Sequence, residues 1–226
     1  GTTTGPYRTI ASGTAPVSGA LTTLDPASLL AGFYTLRLTA VNMTGTVAMA
    51  LTAIEADAQS LAGTYARQVT DLVTTLDGIP FNLERAYSSV DSTGGLYGPG
   101  CRWTPRDVDM QVNVPTTGLE ASGVYAPFGQ DTRLYLTRPD GVRTGFTFTP
   151  TTETLGPVVL FHPAWQADDA AGGWTLKPAT DTTLIQAGGH FYDEVTGLPY
   201  NPGAAGGTQY VLTGPDQTAY RIDPAR

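Results

Sequence analysis

Short segments in which apolar and polar residues alternate recur along most of this chain, and this pattern most constrains its fold. A strand places successive side chains on opposite faces of a sheet, so a period of two residues predicts strands buried on one face. In the stretch FYTLRLTAVNMTG, Tyr34, Leu36 and Leu38 would share one face, and residues 42–45 would form the turn into the next strand. The pattern predicts antiparallel strands joined by tight turns.

Turn signals separate these segments. Asp77-Gly78, between VTTL and IPFNLERAY, is the strongest hairpin signal, and Asp140-Gly141 is a second one. The 27 glycines and 17 prolines are scattered along the chain rather than periodic, which is typical of many short turns. Further strands are predicted in DVDMQVNV, TRLYLTRP, RTGFTFTP, PVVLFHP, GWTLKPA, TLIQAGGHFYDE, TQYVLTG and TAYRIDP. We therefore expect an all-β fold.

Helix signals are scarce. Asp25 and Pro26 could open one or two helical turns, and residues 54–61 could form a short helix that Gly63 would stop. The composition changes near residues 53–63, which predicts a domain boundary at about residue 56. We expect a small Ig-like module, or partial β-sandwich, over residues 1–55. A curled antiparallel sheet of longer hairpins is expected over residues 56–226.

Charge and cysteine content argue against several classes of function. Twenty acidic and 12 basic residues give a net charge of −8, whereas a nucleic-acid partner or an anionic membrane surface favours a basic protein. No apolar run is long enough to insert into a membrane. The single cysteine, Cys101, allows neither an internal disulfide nor a cysteine-based zinc site. The opening GTTTGPYRT is typical of a piece of a longer polypeptide, and export signals could lie on an upstream part.

Two blocks of sequence resemble the front part of the RHS/YD-repeat family. LDPASLLAGFYTLRLTAVNMTG, residues 24–45, resembles the small β module that often precedes the repeats. TDLVTTLDGIPFNLERAYSSVDSTGGLYGPGCRW, residues 70–103, resembles the segment that opens the family's β shell, where an Arg-x-Tyr strand leads to Tyr-Gly-Pro-Gly-Trp. Here Cys101 and Arg102 stand between the second glycine and Trp103, a departure from that pattern. The hairpins at residues 138–146 and 207–223 are weaker matches.

The resemblance implies a spiral β shell that encloses a C-terminal toxin or other cargo. This chain would then be a wall segment and its preceding module, in a bacterial protein that is secreted or displayed at the cell surface. Its partners would be the downstream repeats and the cargo of the same polypeptide. The family's self-cleaving protease site lies far downstream, so the resemblance implies no catalytic residue here.

The Gly-Pro-Gly turn and its neighbours form the structural motif that we expect to shape the sheet. Proline holds φ near −65° and glycine can take positive φ, so together they can bend a strand. Tyr97 and Trp103 could close the end of the sheet, while Arg85 and Tyr87 could stack on each other. A sugar-binding platform is the alternative, and a reaction site is the least favoured reading. The motif residues are Gly78, Pro80, Arg85, Tyr87, Gly98, Pro99, Gly100 and Trp103.

No cluster in the sequence has the spacing of a metal site, and we predict no metal or cofactor. His190 lies near Asp193 and Glu194, but strand geometry would point Asp193 away from the histidine, and His162 is isolated. Asp168 and Asp169 are adjacent rather than spaced as in a calcium loop, so a solvated hairpin tip is expected there.

Catalytic signals are also weak, and we predict that the chain is not an enzyme. The carboxylates of Asp107, Asp109, Glu120 and Glu153 are available, but nothing selects a pair of them. There is no Gly-x-Ser-x-Gly elbow. Cys101 beside Arg102 could carry a lowered pKa, although a buried or half-buried structural thiol is the favoured reading.

The functional expectation is a non-enzymatic structural segment. The alternative from another class is a carbohydrate-binding β module at a cell surface, with glycans as partners. That alternative requires an exposed flat platform of aromatic side chains. The candidates for it are Trp165, Trp174, Tyr200 and Tyr210. A hydrolase, which would need a cleft with clustered carboxylates, is the third hypothesis.

Overall fold

The fold was analysed in a computed structural model. The structure describes residues 7–15, 18–56, 65–76, 79–89, 91, 94–95, 97–103, 108–204 and 209–224. Strands account for 49% and helical turns for 5%, so the all-β prediction is confirmed. The strands in chain order are β1 Gly32–Val41, β2 Val47–Ala56, β3 Ala66–Leu76, β4 Ile79–Ser88, β5 Gly94–Gly95, β6 Gly98–Pro99, β7 Cys101–Trp103, β8 Gln111–Val112, β9 Arg133–Thr137, β10 Arg143–Phe148, β11 Thr151–Leu155, β12 Val158–His162, β13 Trp165–Ala167, β14 Thr175–Pro178, β15 Leu184–Ala187, β16 His190–Asp193, β17 Tyr210–Thr213 and β18 Ala219–Ile222.

The sheets are antiparallel and none closes into a barrel. Within the described residues, β1 and β2 form a two-stranded ribbon, and β3-β4-β7 form a three-stranded sheet beside the short β5–β6 pair. Two four-stranded sheets follow, with the orders β13-β10-β9-β8 and β11-β12-β15-β16, and a three-stranded sheet has the order β14-β17-β18. The expected hairpin architecture is therefore divided among several small sheets.

The described part of residues 1–55 contains one long two-stranded ribbon. Ten residues of β1 pair with ten of β2, from Gly32 opposite Ala56 to Val41 opposite Val47. The ribbon turns at Asn42, whose side chain accepts hydrogen bonds from the backbone amides of Thr44 and Thr46. The turn predicted at residues 42–45 is thus present.

Helical structure is limited to 3-10 turns of three residues each in the described part of the chain. They lie at Pro26–Ser28, Glu120–Ser122, Ala170–Gly172 and Pro202–Ala204. The turn at Pro26 agrees with the expected single helical turn. The helix considered from residue 54 is wrong at its start, because residues 54–56 continue β2 in register with β1. The rest of that segment lies outside the described residues.

Of the two predicted Asp-Gly turns, only the second lies within the described residues. At the second one, the amide of Arg138 donates to the carbonyl of Val142, and Gly141 has φ 80°, as a tight turn requires. At the first, β3 and β4 pair along their full length with a bulge near Thr70. The turn residues Asp77 and Gly78 lie outside the described residues.

The core consists of two adjoining clusters in the second half of the chain. The first contains Leu134, Leu136, Phe146, Leu176, Tyr210, Leu212 and Ile222. The second contains Phe128, Phe148, Leu184, Phe191 and Tyr200. Trp165 packs against both, so its indole joins them. Burying each large side chain contributes about 1.5–3 kcal/mol, which makes this region the main source of stability.

Candidate functional site

The Gly-Pro-Gly motif bends the chain between β6 and β7. Gly98 has φ 102° and Gly100 has φ 74°, conformations that favour glycine. Gly100 is buried, and a Cβ there would lie 2.6 Å from the carbonyl oxygen of Ser88. The amide of Ser88 in turn donates to the carbonyl of Gly100 at 2.9 Å. The motif therefore holds two backbone segments at a separation that only glycine allows.

The other motif residues lie on the strands beside this bend. Trp103 on β7 stands opposite Arg85 on β4, and Pro80 on β4 stands opposite Thr75. Gly78 lies outside the described residues.

Arg85 does not stack on Tyr87 as expected. Its guanidinium binds the Asp71 carboxylate on β3, with Nη2–Oδ1 at 2.7 Å, and lies over the ring of Tyr97 at 5.3 Å. The hydrogen bond from Arg85 is the main cause that lowers the pKa of Asp71. The ring of Tyr87 instead contacts Tyr65, with centroids 6.1 Å apart. The charged partner across the ribbon takes the arginine because a bidentate ion pair is a stronger contact than a stacked ring.

A cleft of about 670 Å³ separates the β3–β4 ribbon from the first half of β10. Backbone atoms and both positively and negatively charged side chains line this cleft. Its charged lining comprises Arg67, Asp91, Arg102, Arg138, Asp140, Arg143, Asp168 and Asp169. So many opposite charges in one cleft predict ion pairs between its lining residues. Two networks of such pairs are present.

The first network joins four charged side chains, three of which line the cleft. The Arg102 guanidinium donates to Asp91 through Nε and to Asp109 through Nη2, the latter at 2.9 Å. Arg143 Nη1 donates to the same Oδ2 atom of Asp109 at 2.9 Å, while its Nε binds the carbonyl of Ala31. The Asp109 carboxylate thus bridges two arginines that approach from β7 and β10, and Asp91 supplies the second negative charge.

Burial and pairing act in opposite directions on these two arginines. Burial is the largest influence on the pKa of Arg102 and lowers it, but the hydrogen bond that Arg102 donates to Asp91 and the charge of Asp109 outweigh burial and leave the pKa raised. Burial also dominates at Arg143 and lowers its pKa, because only 6% of that side chain is exposed. Both arginines therefore form ion pairs that hold neighbouring segments together, while Nη2 of Arg143 is buried with no hydrogen-bond partner among the described residues.

The second network connects the β1–β2 ribbon to the β13-β10-β9-β8 sheet. Arg133 on β9 donates to both oxygens of Asp168 and to Glu55 on β2, with Nε–Oε1 at 3.1 Å. The Tyr135 hydroxyl also donates to Glu55, at 2.9 Å, and its ring meets Phe33 edge-on at 5.3 Å. Burial, followed by the Glu55 hydrogen bond, raises the pKa of Tyr135.

The histidines and the paired aspartates considered as metal ligands have local partners. His162 Nε2 lies 2.8 Å from Glu153, and His190 Nδ1 lies 3.1 Å from the carbonyl of Gly188. Asp168 and Asp169 are both exposed, in agreement with the solvated tip expected there, although each also has a partner. Asp168 binds Arg133, and Asp169 caps a 3-10 turn by accepting the amide of Gly172. Across the residues that the structure describes, no group of three or more His, Cys, Asp or Glu could hold a metal.

The carboxylates considered for catalysis do not converge either. Asp109 belongs to the arginine network, Glu153 pairs with His162, and Glu120 accepts the amide of Thr117 at 2.6 Å. Asp107 lies outside the described residues. Cys101 is half-buried on β7, in line with the structural reading. In the described ranges, no helix is long and apolar enough to cross a membrane.

The four aromatic residues proposed for a glycan platform do not form one. Tyr210 is fully buried, and Tyr200 is 8% exposed. The Trp165 ring packs on Phe148 at 5.1 Å inside the core. Trp174 lies over the Tyr220 ring and under the Arg138 guanidinium, at 5.1 Å from its carbon Cζ. Alternation alone could not decide which face of these strands is inside.

Sequence reasoning missed the network residues because their partners are distant in the chain. Arg133 and Glu55 are 78 positions apart, and Arg143 and Asp109 are 34 apart. One available signal was the use of eleven arginines against a single lysine. Arginine presents a planar fork suited to bidentate pairs, whereas lysine is a point charge.

The chain was compared with known proteins. No family model matches the sequence, and neither a curated protein nor a solved structure matches it. Functional inference therefore relies on the geometry described above and on the sequence motifs.

Proposed function

We propose that this chain is a non-catalytic wall segment of an RHS/YD-repeat β shell that encloses or presents C-terminal cargo. Its partners in this proposal are the downstream repeats and the cargo of the same polypeptide. The protein would be bacterial and secreted or displayed at the cell surface. The choice of the RHS/YD-repeat family is based on the resemblance of residues 70–103 to the segment that opens that family's shell.

The observation that carries the proposal is an open sheet edge at β18. Antiparallel hairpins follow one another without closing, and β18 pairs with β17 on one side only among the described residues. An open edge presents backbone donors and acceptors that another strand can pair with. A further hairpin added here would extend the sheet, as a growing shell requires.

The chemistry of the cleft supports the same reading. Arg102 on β7 and Arg143 on β10 share the carboxylate of Asp109, which lies between β7 and β8, so the ion pairs join neighbouring sheets to one another. The aromatic side chains that a glycan-binding module would display are mostly packed in the core. Both features favour a wall over a binding platform.

Hydrogen exchange tests the proposal directly. The backbone amides of β18 and β17 are compared in this chain and in the longest natural polypeptide that contains it. We expect the β18 amides that point away from β17 to exchange fast in the chain alone and at least tenfold more slowly in the long polypeptide, because the next hairpin would cover this edge. The amides of β17, paired on both sides, are the internal control and should be slow in both.

Two results would overturn the proposal. One is equal exchange of β18 in the two proteins. The other is a cryo-EM map of the long polypeptide in which this segment lies outside any enclosing wall. Glycan-array binding by this chain would then become the next measurement.

A further inference from the structure

The turn that joins β1 to β2 contains an Asn-x-Thr triplet. Asn42, Met43 and Thr44 form it, and the middle residue is not proline. A triplet of this kind is the acceptor sequence for N-glycosylation when it lies in an accessible loop. Of the four asparagines in the chain, only Asn42 is followed two positions later by serine or threonine. The sequence therefore offers a single acceptor of this type.

The triplet lies at the accessible end of the ribbon. All residues from 38 to 50 are exposed, and Met43 in the centre of the triplet is fully exposed. The ribbon is held at its opposite end, where Phe33 meets Tyr135 and Glu55 binds Arg133. A transferase has to enclose the acceptor side chain, and an exposed turn far from the anchored end allows this.

Hydrogen bonds of the turn fix the orientation of the Asn42 carboxamide. Its oxygen Oδ1 accepts the backbone amides of Thr44, at 3.0 Å, and of Thr46, at 2.8 Å. Two N–H donors to one atom identify that atom as the oxygen and not the nitrogen of the carboxamide. The nitrogen Nδ2 therefore lies on the other side of the group, and it has no protein partner among the residues that the structure describes.

The hydroxyl of Thr44 donates to the same Oδ1 atom, at 2.7 Å. A carboxamide nitrogen is a weak nucleophile because its lone pair is delocalised into the carbonyl group. When Nδ2 loses a proton, part of the negative charge moves to Oδ1, and donors placed at that oxygen stabilise it. Thr44 supplies two such donors, its amide and its hydroxyl. The turn thus holds Asn42 in an arrangement that favours attack through Nδ2.

We propose that Asn42 is N-glycosylated, and that the donor is an activated sugar with a diphosphate leaving group on its anomeric carbon. A bond forms between Nδ2 and the anomeric carbon, and the bond from that carbon to the diphosphate oxygen breaks. The diphosphate leaves with the bonding electrons, and Nδ2 gives up one proton to a base of the transferase. Only the turn and the triplet are needed for this step, so it does not rest on the wall proposal.

Mass spectrometry tests the proposal on the longest natural polypeptide that contains this chain, purified from its natural host. Trypsin releases residues 38–67 as one peptide, because no lysine or arginine lies between Arg37 and Arg67. We expect this peptide to carry a glycan on Asn42. One added hexose would indicate a nucleotide-sugar donor, and an oligosaccharide would indicate a lipid-linked donor.

Asn42→Asp is the decisive variant, because its carboxylate can accept the same hydrogen bonds of the turn but has no Nδ2 atom. It should abolish the modification. Thr44→Ala should reduce the occupancy about tenfold or more, since the reaction loses a donor to the developing charge, while Thr44→Ser should retain more of it. Asn82→Gln is the matched control, because Asn82 is also exposed but has no hydroxyl residue two positions later.

Four results would each overturn the proposal. They are an unmodified Asn42 in the polypeptide from the natural host, a glycan that persists in Asn42→Asp, equal occupancy in Thr44→Ala and the parent, and an equal loss in Asn82→Gln. Asn42→Asp and the parent should have the same circular dichroism spectrum, which separates a lost acceptor atom from a lost fold.

Discussion

The carboxylate of Asp168 crosses over Gly145 of β10 to reach Arg133 on the neighbouring strand β9. Arg133 Nη2 and Asp168 Oδ2 are 2.7 Å apart, and a Cβ at Gly145 would lie only 2.0 Å from that same oxygen. The missing side chain on the middle strand therefore makes room for an ion pair between its neighbours. Glu55 completes the arrangement, so one arginine connects β9, the segment after β13 and the first ribbon.

Removing this arginine should destabilise the protein measurably. Arg133→Ala leaves Asp168 and Glu55 without their cation, and the Arg133 and Asp168 side chains are only 17% and 20% exposed. We expect a loss of about 2 kcal/mol in the free energy of unfolding, below the usual cost for a fully buried pair because of that exposure. Urea denaturation at pH 7 measures it.

Arg85→Ala is the control for this prediction. It removes another bidentate pair, with Asp71, whose side chains are 38% and 28% exposed. Solvent screens that pair, so its loss should be much smaller than the loss at Arg133. Equal losses for the two variants would contradict a special role for Arg133.

Asp109 should be more important for stability than its partial exposure suggests. Its Oδ2 accepts from both Arg102 and Arg143 at 2.9 Å, and its backbone has φ 41°, which asparagine also tolerates. Asp109→Asn therefore keeps the shape and removes only the charge. We expect a loss of about 3 kcal/mol, because two buried cations lose a shared anion. A thermal-unfolding midpoint within 1 °C of the parent, a shift below about 0.3 kcal/mol, would refute it.

The two glycines of the Gly-Pro-Gly motif should respond differently to alanine. Both have positive φ, so both substitutions cost about 1 kcal/mol of backbone strain. At Gly100 the new Cβ would also meet the Ser88 carbonyl at 2.6 Å, whereas at Gly98 nothing lies within 4 Å. Gly100→Ala should therefore cost about 3 kcal/mol in total, and Gly98→Ala about 1 kcal/mol. Chemical denaturation of the pair tests this, and equal values would remove the close approach as the reason for Gly100.

Alkaline pH should unfold the protein through its buried tyrosines. Burial raises the pKa of both Tyr200 and Tyr210 above the ordinary value. In the unfolded chain each phenol ionises near pH 10, while the folded protein keeps the proton. The unfolded state thus binds fewer protons above pH 10, so stability is complete below that pH and declines as pH rises toward the folded pKa. The decline should approach about 1.4 kcal/mol per pH unit for each tyrosine.

Absorbance at 295 nm during a pH titration follows this ionisation. Tyr200 and Tyr210, together with Tyr135, should ionise only with the loss of near-ultraviolet circular dichroism. In a Tyr200→Phe, Tyr210→Phe variant the decline above pH 10 should be shallower. Ionisation of all eleven tyrosines near pH 10 in the folded protein would disprove the burial argument.

The local part of the fold followed from the sequence. Alternation predicted the strands because a half-buried sheet requires it, and residues 42–45 and Asp140-Gly141 predicted turns because few residue types accept their dihedral angles. Where local signals conflicted, pairing decided the outcome. Residues 54–56 could begin a helix by composition, yet they are held in β2 by their register with β1.

The networks and the direction of the aromatic faces were decided only by the tertiary structure. Glu55 meets Arg133 and Asp109 meets Arg143 because separate hairpins stack, and no local pattern specifies which hairpins become neighbours. Tyr200 and Tyr210 lie inside because two clusters close around Trp165, although the same alternation would suit an exposed platform. A period of two residues determines that one face of a strand is buried. Packing between distant segments determines which face it is.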